Sequence, residues 1–116
     1  MIRFAVVGDI HGSWTQADTR WFSRAGYDQV IVVGDLGGWR WASTLGIARM
    51  LGGIDAPTLV FPGNHDATHA ASLVNEAVVG SSRVRGAFVS TNLARRRELE
   101  EAVGPHPLCG YTSHRV

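Results

Sequence analysis

Apolar positions follow two rhythms along the first 66 residues. Residues 2–7, 29–33 and 58–61 are short continuous runs of β-branched and apolar side chains, and each runs into a turn containing glycine. Runs of that kind read as parallel strands, the first of them buried on both faces. Between them, Trp14, Ala17, Trp21, Phe22 and Ala25 recur at helical spacing, as do Trp41, Leu45, Ala48 and Leu51. Gly26 and the pair Gly52, Gly53 stand where C-terminal caps belong. The predicted class is therefore α/β, a parallel or mixed sheet core of βαβ units with flanking helices.

Asp9 and Asp35 lie 26 positions apart, and Asp35 and Asn64 lie 29 apart. Both spacings are close to the roughly 30 residues of one βαβ unit. Right-handed crossovers then bring all three strand tips to one edge of the sheet. Beyond Asp66 the pattern thins. Residues 67–78 read as a helix with Ala70, Leu73 and Ala77 inward, 83–90 as a short strand or an irregular loop, and 108–116 as the start of a further strand. Residues 91–103 form a better helical segment, capped by Thr91 or Asn92 and ended by Gly104 and Pro105. Arg95, Arg96 and Arg97 face Glu98, Glu100 and Glu101 there, which reads as a solvated charge run.

Composition adds limits. With 116 residues, 45% apolar and 18% charged, the chain is one globular domain, spanning 1–116, or part of one. A single cysteine, Cys109, excludes an internal disulfide and any Cys-rich zinc site and fits a reducing cytoplasm. The net charge is +1, and all 11 basic residues are Arg, which by itself decides nothing. The N-terminal apolar run is too short for a signal peptide or a membrane span.

The chemistry gathers at the strand tips: Asp9 and His11 at the first, Asp35 at the second, Asn64, His65 and Asp66 at the third. The carboxyl ends of strands are where open α/β sheets bind ligands. A phosphate ester resists hydrolysis because its anionic oxygens repel a nucleophile and its leaving group departs as an alkoxide. Two cations about 3.5 to 4 Å apart counter both difficulties, and they require hard oxygen and imidazole donors. Asp9 and His11, two residues apart on one turn, suit a single ion. Asp35 on the central tip suits a shared position, and Asn64 offers a second ion a neutral amide oxygen. His65 need not be a ligand: it can protonate the leaving oxygen, with Asp66 accepting a ring proton to fix its tautomer.

GDIHG at 8–12, GDLGG at 34–38 and GNHD at 63–66 resemble, in order and spacing, the first three motifs of the calcineurin-like metallophosphoesterases. The resemblance covers residues 1–66. It implies half of a metallophosphoesterase sandwich and hydrolysis of a phosphomonoester or phosphodiester by a metal-activated water. It also implies two divalent ions of the manganese, iron, zinc or magnesium type. Asp9 and His11 would hold one ion, Asp35 both and Asn64 the other, with His65 and Asp66 as the assisting pair.

The second half departs from that pattern. Family members also take a histidine from an apolar strand and a later Gly-His-x-His element. Here Gly110–His114 has Tyr111 at a histidine position, which leaves His114 as one candidate, and His106 sits between two prolines. The expectation is an N-terminal fragment of a longer enzyme, ending before the remaining ligands and slow or inactive alone. The alternative is a catalytically incomplete remnant that serves as a metal- or phosphate-binding module. A nucleotide-binding doubly wound domain has the right rhythm but would need G-x-G-x-x-G after strand one, which this chain lacks. Protein serine/threonine phosphatases of the superfamily carry Asp and Arg after the bridging aspartate and Glu after the Asn-His pair. Gly37, Gly38 and Asp66 stand here, so the expected substrate is a nucleotide, a small phosphate ester or nucleic acid. No basic patch supports nucleic acid.

Weighed singly, the tips also have plain readings. Asp and Asn after Gly are common turn formers, and Trp14, Trp21 and Trp41 are expected in the core. Trp39 with Arg40 follows Asp35, where it would flank a substrate or simply cover the sheet. His69 is expected on an exposed helix face.

Overall fold

The structure, a computed structural model, describes residues 1–38, 40–63, 66 and 94–109. The expected elements at 67–78 and 83–90, the Thr91 or Asn92 cap, and Trp39, Asn64, His65, His69 and residues 110–116 with His114 lie outside the described residues.

Three strands, β1 (Phe4–Gly8), β2 (Gln29–Val33) and β3 (Thr58–Phe61), form a parallel sheet in the order β1-β2-β3. Val6 pairs with Ile31 and Ile31 with Leu59, so the three strands run in step and finish at one edge. Leu108 adds a parallel bridge to Val60, held by Val60 N–H to Pro107 O at 3.0 Å and Cys109 N–H to Val60 O at 2.7 Å. The expected further strand thus begins beside β3, as far as the described residues reach.

Helix α1 (Gln16–Arg24) starts two residues later than the apolar rhythm suggests. Thr15 is the reason. Its side chain accepts from the Asp18 N–H while Asp18 reaches back to the Thr15 N–H, a reciprocal capping box that fixes the first turn. Trp14 therefore precedes the helix, yet it is buried, stacked on Phe22 at 5.1 Å and donating from Nε1 to Thr19 Oγ1 at 2.9 Å. Trp21, expected in the core, is instead 56% exposed and meets Phe22 edge-on. Helix α2 (Trp41–Gly52) and the helical residues 94–102 follow the expected spacing. Trp41 ties these two together: its Nε1 donates to Glu98 at 2.6 Å, and the Arg95 guanidinium lies 4.9 Å from its ring centre. Arg96 pairs with Glu100 one turn on, as the charge run predicts.

One expectation about the sheet is overturned. The first strand was to be buried on both faces, but Phe4 is 59% and Val6 68% exposed. Val30, Val32, Thr58 and Val60 point the other way and are buried with Ile47, Ala48, Leu51, Leu99 and Val103. The described helical residues contribute their apolar faces to this one side. Side chains alternate along a strand, so the residues between face away from this core, Ile31 and Leu59 half-buried and the others at the ends of the face exposed. Val33 and Phe61 are part of that face, and a cavity of about 580 Å³ lies over it, lined by Ile31, Leu59, Phe61 and Cys109 among others.

Candidate metal centre

The first two tips are each anchored by an apolar residue next to the polar ones. Ile10 lies between Asp9 and His11 and is buried, and Leu36, which follows Asp35, is fully buried. Sinking those two side chains into the core holds their neighbours at the rim. Backbone bonds continue the sheet past its strands: His11 N–H to Asp35 O at 2.8 Å, Gly12 N–H to Leu36 O at 2.9 Å, and Gly34 N–H to Phe61 O at 2.7 Å. The first two tips therefore stand in a fixed relation.

Among the described residues, three that are not glycine have positive φ: Asp9 at 50°, His11 at 46° and Asp35 at 47°. They are the three expected metal ligands described by the structure. The left-handed region is uncommon for residues with a Cβ, and holding such residues there costs on the order of 1–3 kcal/mol each, somewhat less for Asp. Three such residues in one cluster mark a site whose geometry is maintained by its surroundings.

The side chains converge accordingly. His11 Nε2 lies 3.9 Å from Asp9 Oδ1 and 4.0 Å from Asp35 Oδ2. One donor atom from each of the three falls within 4.8 Å of the other two. Donors bound at about 2.1 Å to one ion lie at most about 4.2 Å apart, so the set needs only a small inward turn. Asp9, 86% exposed, is free to make it, whereas Asp35 is mostly buried at 19%. Asp35 Oδ1 is fully buried and has no hydrogen-bond partner among the described residues. It is packed against Gly63, where a Cβ would overlap both this oxygen and the Asp35 backbone nitrogen. Two carboxylates facing a single imidazole, one of them with an unsatisfied buried oxygen, form a hard, electron-rich donor set that a divalent cation stabilises. The residues present fit such an ion.

Asp66 makes backbone contacts that the sequence reading did not name. It is 1% exposed, and both its oxygens accept backbone N–H groups. Oδ1 takes Leu36 at 2.8 Å and Gly37 at 3.4 Å, while Oδ2 takes Gly63 at 2.8 Å. Burial pushes its carboxyl above the usual carboxylate range; the three N–H donors oppose that shift and the nearby Asp35 charge adds to it. The residue joins the tip after β2 to the turn after β3. Sequence reasoning missed this bridge and the Gly63 cradle. The signal for both was only the bare G-x-x-D frame, which does not say where the carboxylate turns.

The sequence model of the calcineurin-like phosphoesterase family matches residues 2–113. The chain belongs to this family. No curated protein and no solved structure matches it closely enough to add to that finding. Two described strand tips thus carry residues of metal-ligand type in left-handed backbone, in a family that typically binds divalent metals and acts on phosphate esters. Among the described residues, no helix is long and apolar enough to cross a membrane.

Proposed function

We propose that the chain hydrolyses phosphomonoesters or phosphodiesters at a two-ion centre on the carboxyl edge of its sheet. The observation that carries this reading is the convergence of Asp9, His11 and Asp35, drawn from two strand tips, to within 4.8 Å. Asp9 and His11 would hold one ion, Asp35 both, and Asn64, next in sequence after the Gly63 that packs on Asp35, the other. Divalent ions bound there supply the positive charge that polarises a phosphoryl group and makes the attacking water more acidic. Asp35 is held by its packing, so it fixes the position about which the ions gather. Asp9 and His11, more exposed, adjust to the ion and to substrate. His65 gives a proton to the departing oxygen. Gly37 and Gly38 after the central tip favour nucleotides and other small phosphate esters over phosphoproteins.

The test joins metal uptake to turnover. Asp35→Ala is expected to abolish both manganese binding and manganese-dependent hydrolysis of an activated aryl phosphate, and retained turnover would sink the reading. The rival, a metal- or phosphate-binding module without turnover, is favoured by Tyr111 standing where the family has a histidine. Metal titration separates the two: two tight sites support the enzyme, and one weak site or none supports the module.

A further inference from the structure

Asp66 links two parts of the edge that the metal reading uses, the residues just after Asp35 and the glycine just before Asn64. Its Oδ1 accepts from the Leu36 and Gly37 N–H groups, immediately after Asp35, and its Oδ2 accepts from the Gly63 N–H, immediately before Asn64. The Asp66 N–H in turn donates to Gly63 O at 3.2 Å, so Gly63 and Asp66 are bonded to each other in both directions. The pattern has a conformational cause. A left-handed residue at Asp35, φ 47°, helps aim the N–H groups that follow it toward a common point, the kind of concavity that binds an anion. Here the anion is the chain's own carboxylate, almost wholly buried. Charge-assisted bonds of this type are the strong ones, and three of them bear on the segment that must hold Asp35 in an unfavourable backbone region.

We propose that Asp66 is a positioning residue that sets metal affinity: by bonding the Asp35 tip to the Gly63 turn it fixes both the strained conformation of Asp35 and the separation of the two halves of the metal centre. This rests on the metal-site reading above. It assigns to Asp66 a task separate from orienting the His65 ring, and one that acts before any substrate arrives.

The experiment is a titration of the 116-residue protein with Co²⁺, read by visible absorption and calorimetry, with folding followed by circular dichroism. Asp66→Asn keeps the shape but replaces one accepting oxygen with a donor facing an N–H. It is expected to weaken Co²⁺ binding tenfold to a hundredfold, the range for residues that support metal ligands, and to change the absorption band. Leu51→Ala, buried in the core, is the control. It is expected to lower the melting temperature at least as much while leaving affinity within about twofold and the band unchanged, because loss of stability alone does not alter a ligand field. Binding by wild type with unchanged affinity and band in Asp66→Asn overturns the proposal alone. No binding by wild type overturns the metal reading and this proposal with it.

A second measurement needs no variant. Coupling is reciprocal, so zinc must slow amide hydrogen exchange at Leu36 and Gly63 in the wild-type protein. Exchange unaffected by saturating zinc overturns the proposal even if Asp66→Asn fails to fold.

Discussion

The carboxyl edge of the sheet and the start of α1 solve the same local problem in opposite ways. Each is a place where the chain leaves one element and must satisfy exposed backbone groups. At α1, Thr15 sits in ordinary extended backbone at φ −126°, and it and Asp18 satisfy each other's N–H groups. At the edge, Asp9, His11 and Asp35 all sit in the left-handed region, their side chains face one another, and Asp35 Oδ1 has no described donor. One junction follows every local rule, and the other breaks several at once. Among the described residues, violations concentrated at one edge mark where structure has been shaped for chemistry at the expense of stability.

The largest effect should come from breaking the edge at its centre. Asp35→Ala removes the most buried of the described candidate ligands and is expected to lower turnover roughly a thousandfold, since several kcal/mol of charge stabilisation at tenfold per 1.4 kcal/mol amounts to that. Its thermal stability without metal should change little. Steady-state assay and a melting curve in chelator check both halves. A loss of activity explained wholly by unfolding would remove the contrast.

Leu51→Ala tests the opposite region. The side chain is fully buried in the core shared by the sheet and its helices, and its truncation is expected to cost about 2–5 kcal/mol of stability. Activity per folded molecule should be unchanged, which denaturant titration and active-site counting would establish. If activity per folded molecule fell as stability fell, edge and core would not be separable.

Asp9→Gly sharpens the comparison, because there the two regions predict opposite signs. Glycine takes φ 50° without steric cost, and its removal of a carboxylate relieves repulsion with Asp35. Against this stands the extra freedom of glycine in the unfolded chain, worth roughly 0.5–1 kcal/mol. The net expectation for the metal-free protein is a gain of about 1 kcal/mol, together with loss of metal binding. A lower melting temperature in chelator would mean that the backbone there is not strained.

How much of this was legible in the sequence follows the same division. Strands β2 and β3 fall where their apolar runs place them, and α2 ends at its glycine pair, because burial and capping are local properties written at each position. The gathering of Asp9, His11 and Asp35 was legible from spacing, since equal βα units place their tips at one edge. The open face around Phe4 and Val6 was not: an apolar run says that a side chain avoids water, not which element covers it. Nor was Asp66's bonding to Leu36 and Gly63, which depends on φ at Asp35, far earlier in the chain. Trp21 was misplaced for a related reason, as helical spacing names a stripe but not its limits.

The smallest effect tests the rule-abiding junction by itself. Thr15→Ala removes the cap acceptor and is expected to cost about 1 kcal/mol, with no change in metal affinity. Its pH dependence identifies the cause. The Thr15 hydroxyl, then the Thr15 N–H, hold Asp18 below the ordinary carboxylate value of 3.8. A carboxyl whose folded pKa is depressed contributes stability that is present above its unfolded value and is lost as pH falls through the folded one. In wild type that loss therefore begins near 3.8 and continues below it. In Thr15→Ala only the backbone donors remain, so the acid-side fall must be shallower and the two proteins must converge in stability as the pH drops. Parallel curves down to the lowest pH would show that the cap acts through helix geometry alone and not through the charge on Asp18.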